Sequence, residues 1–300
     1  MTKKILAAMA ILIFSFCLTA RASAVVTLPD PTSTFDGIQY ASQIDEFYTF
    51  PASLMLEFGL PASDWDVNAG TGGLDVIIYN GPGSANVGVG AGAFTFESAI
   101  DAPGAGTSTF SGIWGNGIQA NGPVGVDKVL DYLEAQFGPG VTTPVFNFDS
   151  HEPNSAGEFL NVVGQVRILD TNNSNAVVAS WSLDNVNDGI FDPSAWATVP
   201  NELILTGDSS ATYTIDNNRS GNARLDYAVF APTMDLAPYD SSNYLFVVDL
   251  RFDEIDNGFE EVFLSGTFTP GDNVIPEPAT TALFLSGLAG LGFFRKKKKI

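Results

Sequence analysis

Short runs of alternating or wholly apolar residues, separated by turn-forming clusters, dominate the middle of the chain. Leu74 to Tyr79, Val145 to Phe148, Val162 to Leu169, Val177 to Leu183, Leu203 to Thr206 and Ala211 to Ile215 read as strands, as do Leu225 to Phe230, Tyr244 to Phe252 and Val262 to Phe268. In Gln165-Val-Arg-Ile-Leu169 polar and apolar positions trade faces, as in a sheet with one wet side. Connectors such as Thr171-Asn-Asn-Ser-Asn175 and Asp216-Asn-Asn-Arg-Ser-Gly221 consist of residues that tolerate positive φ. One segment has helical spacing instead: Val126, Val129, Leu130, Leu133 and Phe137 share a face, and Gly138-Pro139 ends it. The pattern predicts a mainly β fold, an antiparallel sandwich or jelly roll with one short helix. Residues 25–35 and 269–275 read as linkers, and Gly138-Pro-Gly140 is a candidate break between two sub-sandwiches.

The two ends have a different pattern. Lys3-Lys4 precede Ile5 to Leu18, apolar apart from Ser15, and Ala22-Ser23-Ala24 supplies small residues at the cleavage positions Ala22 and Ala24. This is the layout of a signal peptide, so signal peptidase is expected to remove residues 1–24. At the far end, Pro276-Glu277-Pro278 precedes the apolar stretch Ala279 to Phe294 and the basic run Arg295, Lys296, Lys297, Lys298 and Lys299. As a helix that stretch spans about 24 Å at ~1.5 Å per residue, somewhat short of a hydrocarbon core of ~30 Å. Snorkelling of the flanking cations closes the gap. Basic residues stay on the cytoplasmic side, which leaves the body outside.

This tail resembles the PEP-CTERM sorting signal of Gram-negative bacteria, also called an ice-binding-protein C-terminal domain, a label that implies no ice binding. The resemblance is confined to about residues 274–300. It implies that Pro276, Glu277 and Pro278 are read by an exosortase, a membrane transpeptidase-like enzyme that removes the tail. Prolines on both sides of Glu277 keep the backbone extended at the recognition site. The expected organisation is a signal peptide over 1–24, a β-rich extracytoplasmic domain over 25–273, and a sorting tail over 274–300.

Charge sharpens the picture. The chain carries 34 acidic and 13 basic residues, a formal charge of −21. All the acids except Glu277 lie between positions 25 and 275, where the only bases are Lys128, Arg167, Arg219, Arg224 and Arg251. Such a body repels phosphate backbones, so nucleic acid is excluded as a partner. The single cysteine, Cys17, lies in the signal segment, which excludes a disulfide framework, a zinc–thiolate site and a cysteine nucleophile.

Candidate chemistry is sparse. Gly81 to Gly92 is glycine-rich but lacks the Lys-Ser/Thr of a phosphate loop, and reads as a hairpin or strand edge. His151 is the only histidine and no Gly-x-Ser-x-Gly elbow exists, so a solvated loop histidine is the expectation. Two acidic turns share one spacing: Asp184, Asp188, Gly189 and Asp192, and Asp253, Asn257, Gly258 and Glu261. Oxygen ligands around a glycine turn suit calcium, but Val186 and Ile255 occupy the third position of an EF-hand, and Ala195 and Leu264 the twelfth. An EF-hand is therefore rejected, leaving a looser calcium site open beside a purely structural turn. No cofactor is otherwise implied.

Carboxylate pairs for glycoside hydrolysis are too numerous to single one out. Of the tryptophans, Trp65, between Asp64 and Asp66, reads as the most exposed, and Trp181, inside a strand, as core. No flat threonine repeat supports ice binding. What the resemblance implies is an exported, non-enzymatic surface or matrix protein in an exopolysaccharide layer or biofilm, tethered to the inner membrane before processing. A carbohydrate-binding module and an exopolysaccharide hydrolase are the alternatives.

Overall fold

The computed structural model describes residues 25–66, 75–79, 87–89, 109–114, 125–150, 159–200, 202–216, 225–255 and 259–267. The chain divides at Thr269/Pro270, and every described residue belongs to the first unit. The fold is mainly antiparallel β. Its strands are β1 (Thr34–Phe35), β2 (Ile38–Gln39), β3 (Ser42–Ile44), β4 (Phe47–Pro51), β5 (Asp75–Tyr79), β6 (Val87–Val89), β7 (Thr109–Trp114) and β8 (Thr143–Asp149). These are followed by β9 (Phe159–Asp170), β10 (Ala176–Leu183), β11 (Ala197–Pro200), β12 (Glu202–Thr206), β13 (Thr212–Asp216), β14 (Tyr227–Phe230), β15 (Tyr244–Asp253) and β16 (Phe259–Thr267).

Two sheets carry the structure. One has the order β3-β4-β14-β8-β16-β5-β6; the other is β10-β9-β15-β7, with β11 pairing the N-terminal half of β9. Their inner faces meet through aromatic contacts. Phe146 of β8 stacks on Phe246 of β15 at 6.5 Å between ring centroids, and Phe148 meets Phe252 edge-on at 6.2 Å. Both pairs belong to one continuous apolar cluster. Two ribbons, β1–β2 and β12–β13, lie apart from these sheets. Both sheets mix strands from either side of Gly138-Pro-Gly140, so the expected break into sub-sandwiches is not there.

β8 is buried along nearly its whole length, which is why it reads as an almost unbroken apolar run. The polar exception, Asn147, is fully buried and donates to the carbonyls of Val145 and Phe263 and to the Ser265 hydroxyl at 2.8–3.2 Å. It ties β8 to β16 from within.

The helix Val126–Phe137 has the bounds its spacing predicts, and Gly138 ends it at φ +111°. Val126, Val129, Tyr132, Leu133 and Phe137 are buried, whereas Leu130 is only half-buried. The helix lies against both β15 and β16. Tyr132 donates its hydroxyl to the Leu264 carbonyl at 2.9 Å, and Gly266 lets the helix come close, since a Cβ there would stand 2.5 Å from Val141 and 2.9 Å from Leu133.

The N-terminal segment departs from expectation. Residues 25–35 are not a linker: Val26 is 1% exposed, its amide bonds the Gly266 carbonyl, and Thr27 bonds Asp64. A short helix, Ala52–Glu57, buries Ala52, Leu54 and Met55. Among the described residues no helix is long and apolar enough to cross a membrane, and the expected span 279–294 lies outside them.

Candidate functional site

The turn after β10 is built by its own carboxylates. Asp184, fully buried, accepts the Val186 amide on one oxygen and the Asp192 amide on the other, both at 2.8 Å. Asp188 accepts the Ile190 amide at 2.9 Å, and Asp192 accepts the amide and hydroxyl of Ser194 at 2.8 and 2.6 Å. These are side-chain turns in which the acid supplies the acceptor that the backbone lacks. Gly189 takes φ +70° at the point where a glycine was expected. The same bonds with Ser194 hold the Asp192 carboxyl below its usual range.

A second hairpin locks onto this turn. Asp45 and Glu46 connect β3 to β4, and Asp45 donates its amide to Asn187 while accepting the Gly189 amide, each at 2.9 Å. Glu46 accepts the Ser182 amide at 2.7 Å and returns its own amide to the Ser182 carbonyl at 3.2 Å. Burial pushes the Asp45 carboxyl up, with the nearby Asp184 and Asp188 charges adding to the effect. Glu46 is raised too, by burial first and then by Asp45. Phe191, also in the turn, lies 5.5 Å beneath the Arg251 guanidinium, which forms a two-pronged bond to Asp249 at 3.1 Å. The Asp45-Glu46 hairpin was not visible as a site in the sequence. Its one signal is an acidic pair set between the apolar residues Ile44 and Phe47.

The second turn of the same spacing folds differently. Asp253 ends β15, opposite Asn161 of β9, while Glu261 lies inside β16 and is buried opposite Asp149 of β8. Asn257 lies outside the described residues. Asp184, Asp188 and Asp192 therefore come together in one turn, whereas Asp253 and Glu261 sit in separate strands. Among the described residues no three acidic or histidine side chains converge as a ready-made metal cage.

Glu261, singled out in the sequence only as part of the second acidic turn, instead pairs with Asp149 across β16 and β8. Cross-strand partners have Cβ atoms about 4.5–5.5 Å apart. Beside them Asp226, 1% exposed, accepts the Ser150 amide at 2.8 Å. Asp149, Ser150 and Glu261 border a mostly apolar cavity with Leu160, Val162 and Phe252. It offers about 50 Å³ of water-accessible space. At ~10–15 Å³ per water that is room for a few waters and not for a sugar ring.

The aromatic expectation for Trp65 is overturned. It is 1% exposed and belongs to the main core, with Asp64 exposed and Asp66 half-buried beside it. Trp181 is core as expected, 6% exposed, with its indole N–H on the Thr233 hydroxyl at 3.1 Å. β5 and β6 pair at the sheet edge, where the glycine-rich stretch suggested a hairpin. His151, Ala22, Ala24, Pro276, Glu277, Pro278, Arg295, Lys296, Lys297, Lys298 and Lys299 lie outside the described residues.

Comparison with known proteins decides what the tail is. Residues 274–299 match the PEP-CTERM protein-sorting motif. The PEP-CTERM motif is the mark of exported, exosortase-processed proteins. It covers only the C-terminal end, so it names the route and not the work of the β-rich body. No curated protein matches the chain. Among solved structures, that of the infectious bursal disease virus Gx strain is similar at 12% identity and a TM-score of 0.12, over 89% of this chain and 55% of that one. The chain thus spans about half the length of that structure, and so loose a likeness carries no argument.

Proposed function

We propose that this is an exported, non-catalytic surface or matrix protein whose body is an acidic β-sandwich with a structural or adhesive role in an exopolysaccharide layer or biofilm. The PEP-CTERM match at residues 274–299 is the observation that carries this reading. In it, signal peptidase frees the chain after Ala24, the Ala279 to Phe294 stretch holds the precursor in the inner membrane with the body facing the periplasm, and exosortase acts at Pro276, Glu277 and Pro278. The basic run Arg295 to Lys299 supports that orientation, since a lone anchor keeps its cations on the cytosolic side.

Two features of the body support a role without turnover. Both oxygens of Asp184 are engaged by the turn's own amides, and the cavity beside Asp149 and Glu261 has no room for a sugar ring. High negative charge favours solubility of such a body between cells.

The test replaces Pro276, Glu277 and Pro278 by alanine and follows the protein by cell fractionation in the producing bacterium. Wild-type protein is expected at the surface or in the medium, and the triple variant in the inner membrane. Equal distribution of the two would overturn the proposal.

A further inference from the structure

Asp45 presents an electrostatic problem that the protein chain alone does not solve. It is 4% exposed, and its Oδ1 accepts the Gly189 amide, which holds the carboxylate over the 184–192 turn. Its Oδ2 is buried and accepts no direct hydrogen bond, the Asp188 amide lying near enough only to favour the carboxylate in part. The charged groups that act on it, Asp184 and Asp188, are both acidic. Arg251, which lies over Phe191 of this turn, is engaged by Asp249. A buried carboxylate oxygen with no direct hydrogen bond and two like-charged neighbours is costly, and either a proton or a cation has to offset it.

We propose that a divalent cation of the calcium class binds between the Asp45 hairpin and the 184–192 turn, with Asp45 Oδ2 as its anchoring ligand and Asp184 and Asp188 as the neighbouring carboxylates. Asp45 comes from a distant hairpin, so the ion would clamp β3–β4 onto the loop that follows β10. Asp188 is exposed and uses only Oδ1 locally, on the Ile190 amide, which leaves its second oxygen able to swing inward. Calcium tolerates such irregular sets of oxygen ligands, and a site with few charges binds weakly, with Kd of about 10⁻⁴–10⁻³ M, matched to extracellular calcium. Asp192 is left out, since it is not among the charges that act on Asp45 and Ser194 engages it. The inference does not depend on the sorting route, and its test is separate from fractionation.

The experiment is thermal unfolding of the protein purified from producing cells, at pH 7.5, in EDTA and in 5 mM CaCl2. Calcium is expected to raise the midpoint of the wild type, corresponding to a gain of about 6- to 50-fold in the folded-to-unfolded ratio. Asp45→Asn keeps an oxygen for the Gly189 amide and is expected to lose the response, whereas Asp192→Asn retains it. Should Asp45→Asn fail to fold, Asp188→Ala gives the same readout, with calcium affinity reduced at least fivefold. No calcium shift in the wild type, or an unchanged shift in Asp45→Asn or Asp188→Ala, overturns the proposal. A wild type that is indifferent to calcium but stabilised by acid would assign the site to a proton instead, and counts against the proposal equally.

Discussion

Removing the Asp184 carboxylate is the sharpest probe of how the acidic turn is held. It is fully buried and accepts two backbone amides at 2.8 Å, one from each end of the loop. Hydrogen bonds to a charged group contribute about 1.5–3 kcal/mol each. Both amides sit in a half-exposed loop and regain water when the acceptor is lost, and Asp45 is relieved of one repelling neighbour. Asp184→Ala is therefore expected to cost about 2–4 kcal/mol, a large share of a typical domain stability of about 5–15 kcal/mol. Asp184→Asn keeps one acceptor and is expected to cost about half as much. Asp188→Ala, at an exposed position with one amide bond, is expected to cost under about 1 kcal/mol. Urea unfolding in EDTA, followed by tryptophan fluorescence, measures all three, with unchanged m-values as the check on two-state behaviour. If Asp184→Ala unfolds within about 0.5 kcal/mol of the wild type, or Asp188→Ala costs as much, the reasoning from burial and bonding fails.

Three further outcomes follow from other parts of the fold. Gly266→Ala places a methyl 2.5 Å from Val141 and 2.9 Å from Leu133, so overpacking is expected to destabilise the fold by about 1–3 kcal/mol, read as a lower urea midpoint. Tyr132→Phe removes the buried bond to the Leu264 carbonyl and is expected to cost about 1–2 kcal/mol in the same assay. The pH dependence at Asp45 has a definite sign. Its carboxyl is raised in the folded state, so the folded chain binds more protons than the unfolded one and this contribution to stability falls as pH rises from the ordinary carboxyl range through the raised folded value. In EDTA, Asp45→Asn is therefore expected to gain on the wild type between pH 4 and 7.5, and parallel wild-type and variant curves would contradict this.

The elements legible in advance were those whose stability is local or whose pattern is long. The helix Val126–Phe137 announced itself because its apolar spacing runs for three turns and Gly138 supplies the left-handed stop. β9 and β15 were legible because each is a long strand with both neighbours in place. The segment 25–66 was not. Its strands are two to five residues long, prolines punctuate it, and its burial depends on partners far along the chain, such as Gly266 for Val26. Trp65 misled for a related reason, since two adjacent acids signal exposure while the indole itself packs into the main core. At the acidic turn, spacing identified Asp184, Asp188 and Asp192 but not Asp45, whose bond to Gly189 joins residues 144 positions apart. Equal spacing also concealed a difference in fold, because Glu261 belongs to a strand and Asp192 to a loop.

Intact mass spectrometry of the protein recovered from the cell surface or medium tests the route through the membrane most directly. The expected species begins at Val25 and ends near Pro276 to Pro278, having lost both apolar ends in two cleavages. A single species with the mass of all 300 residues would contradict it.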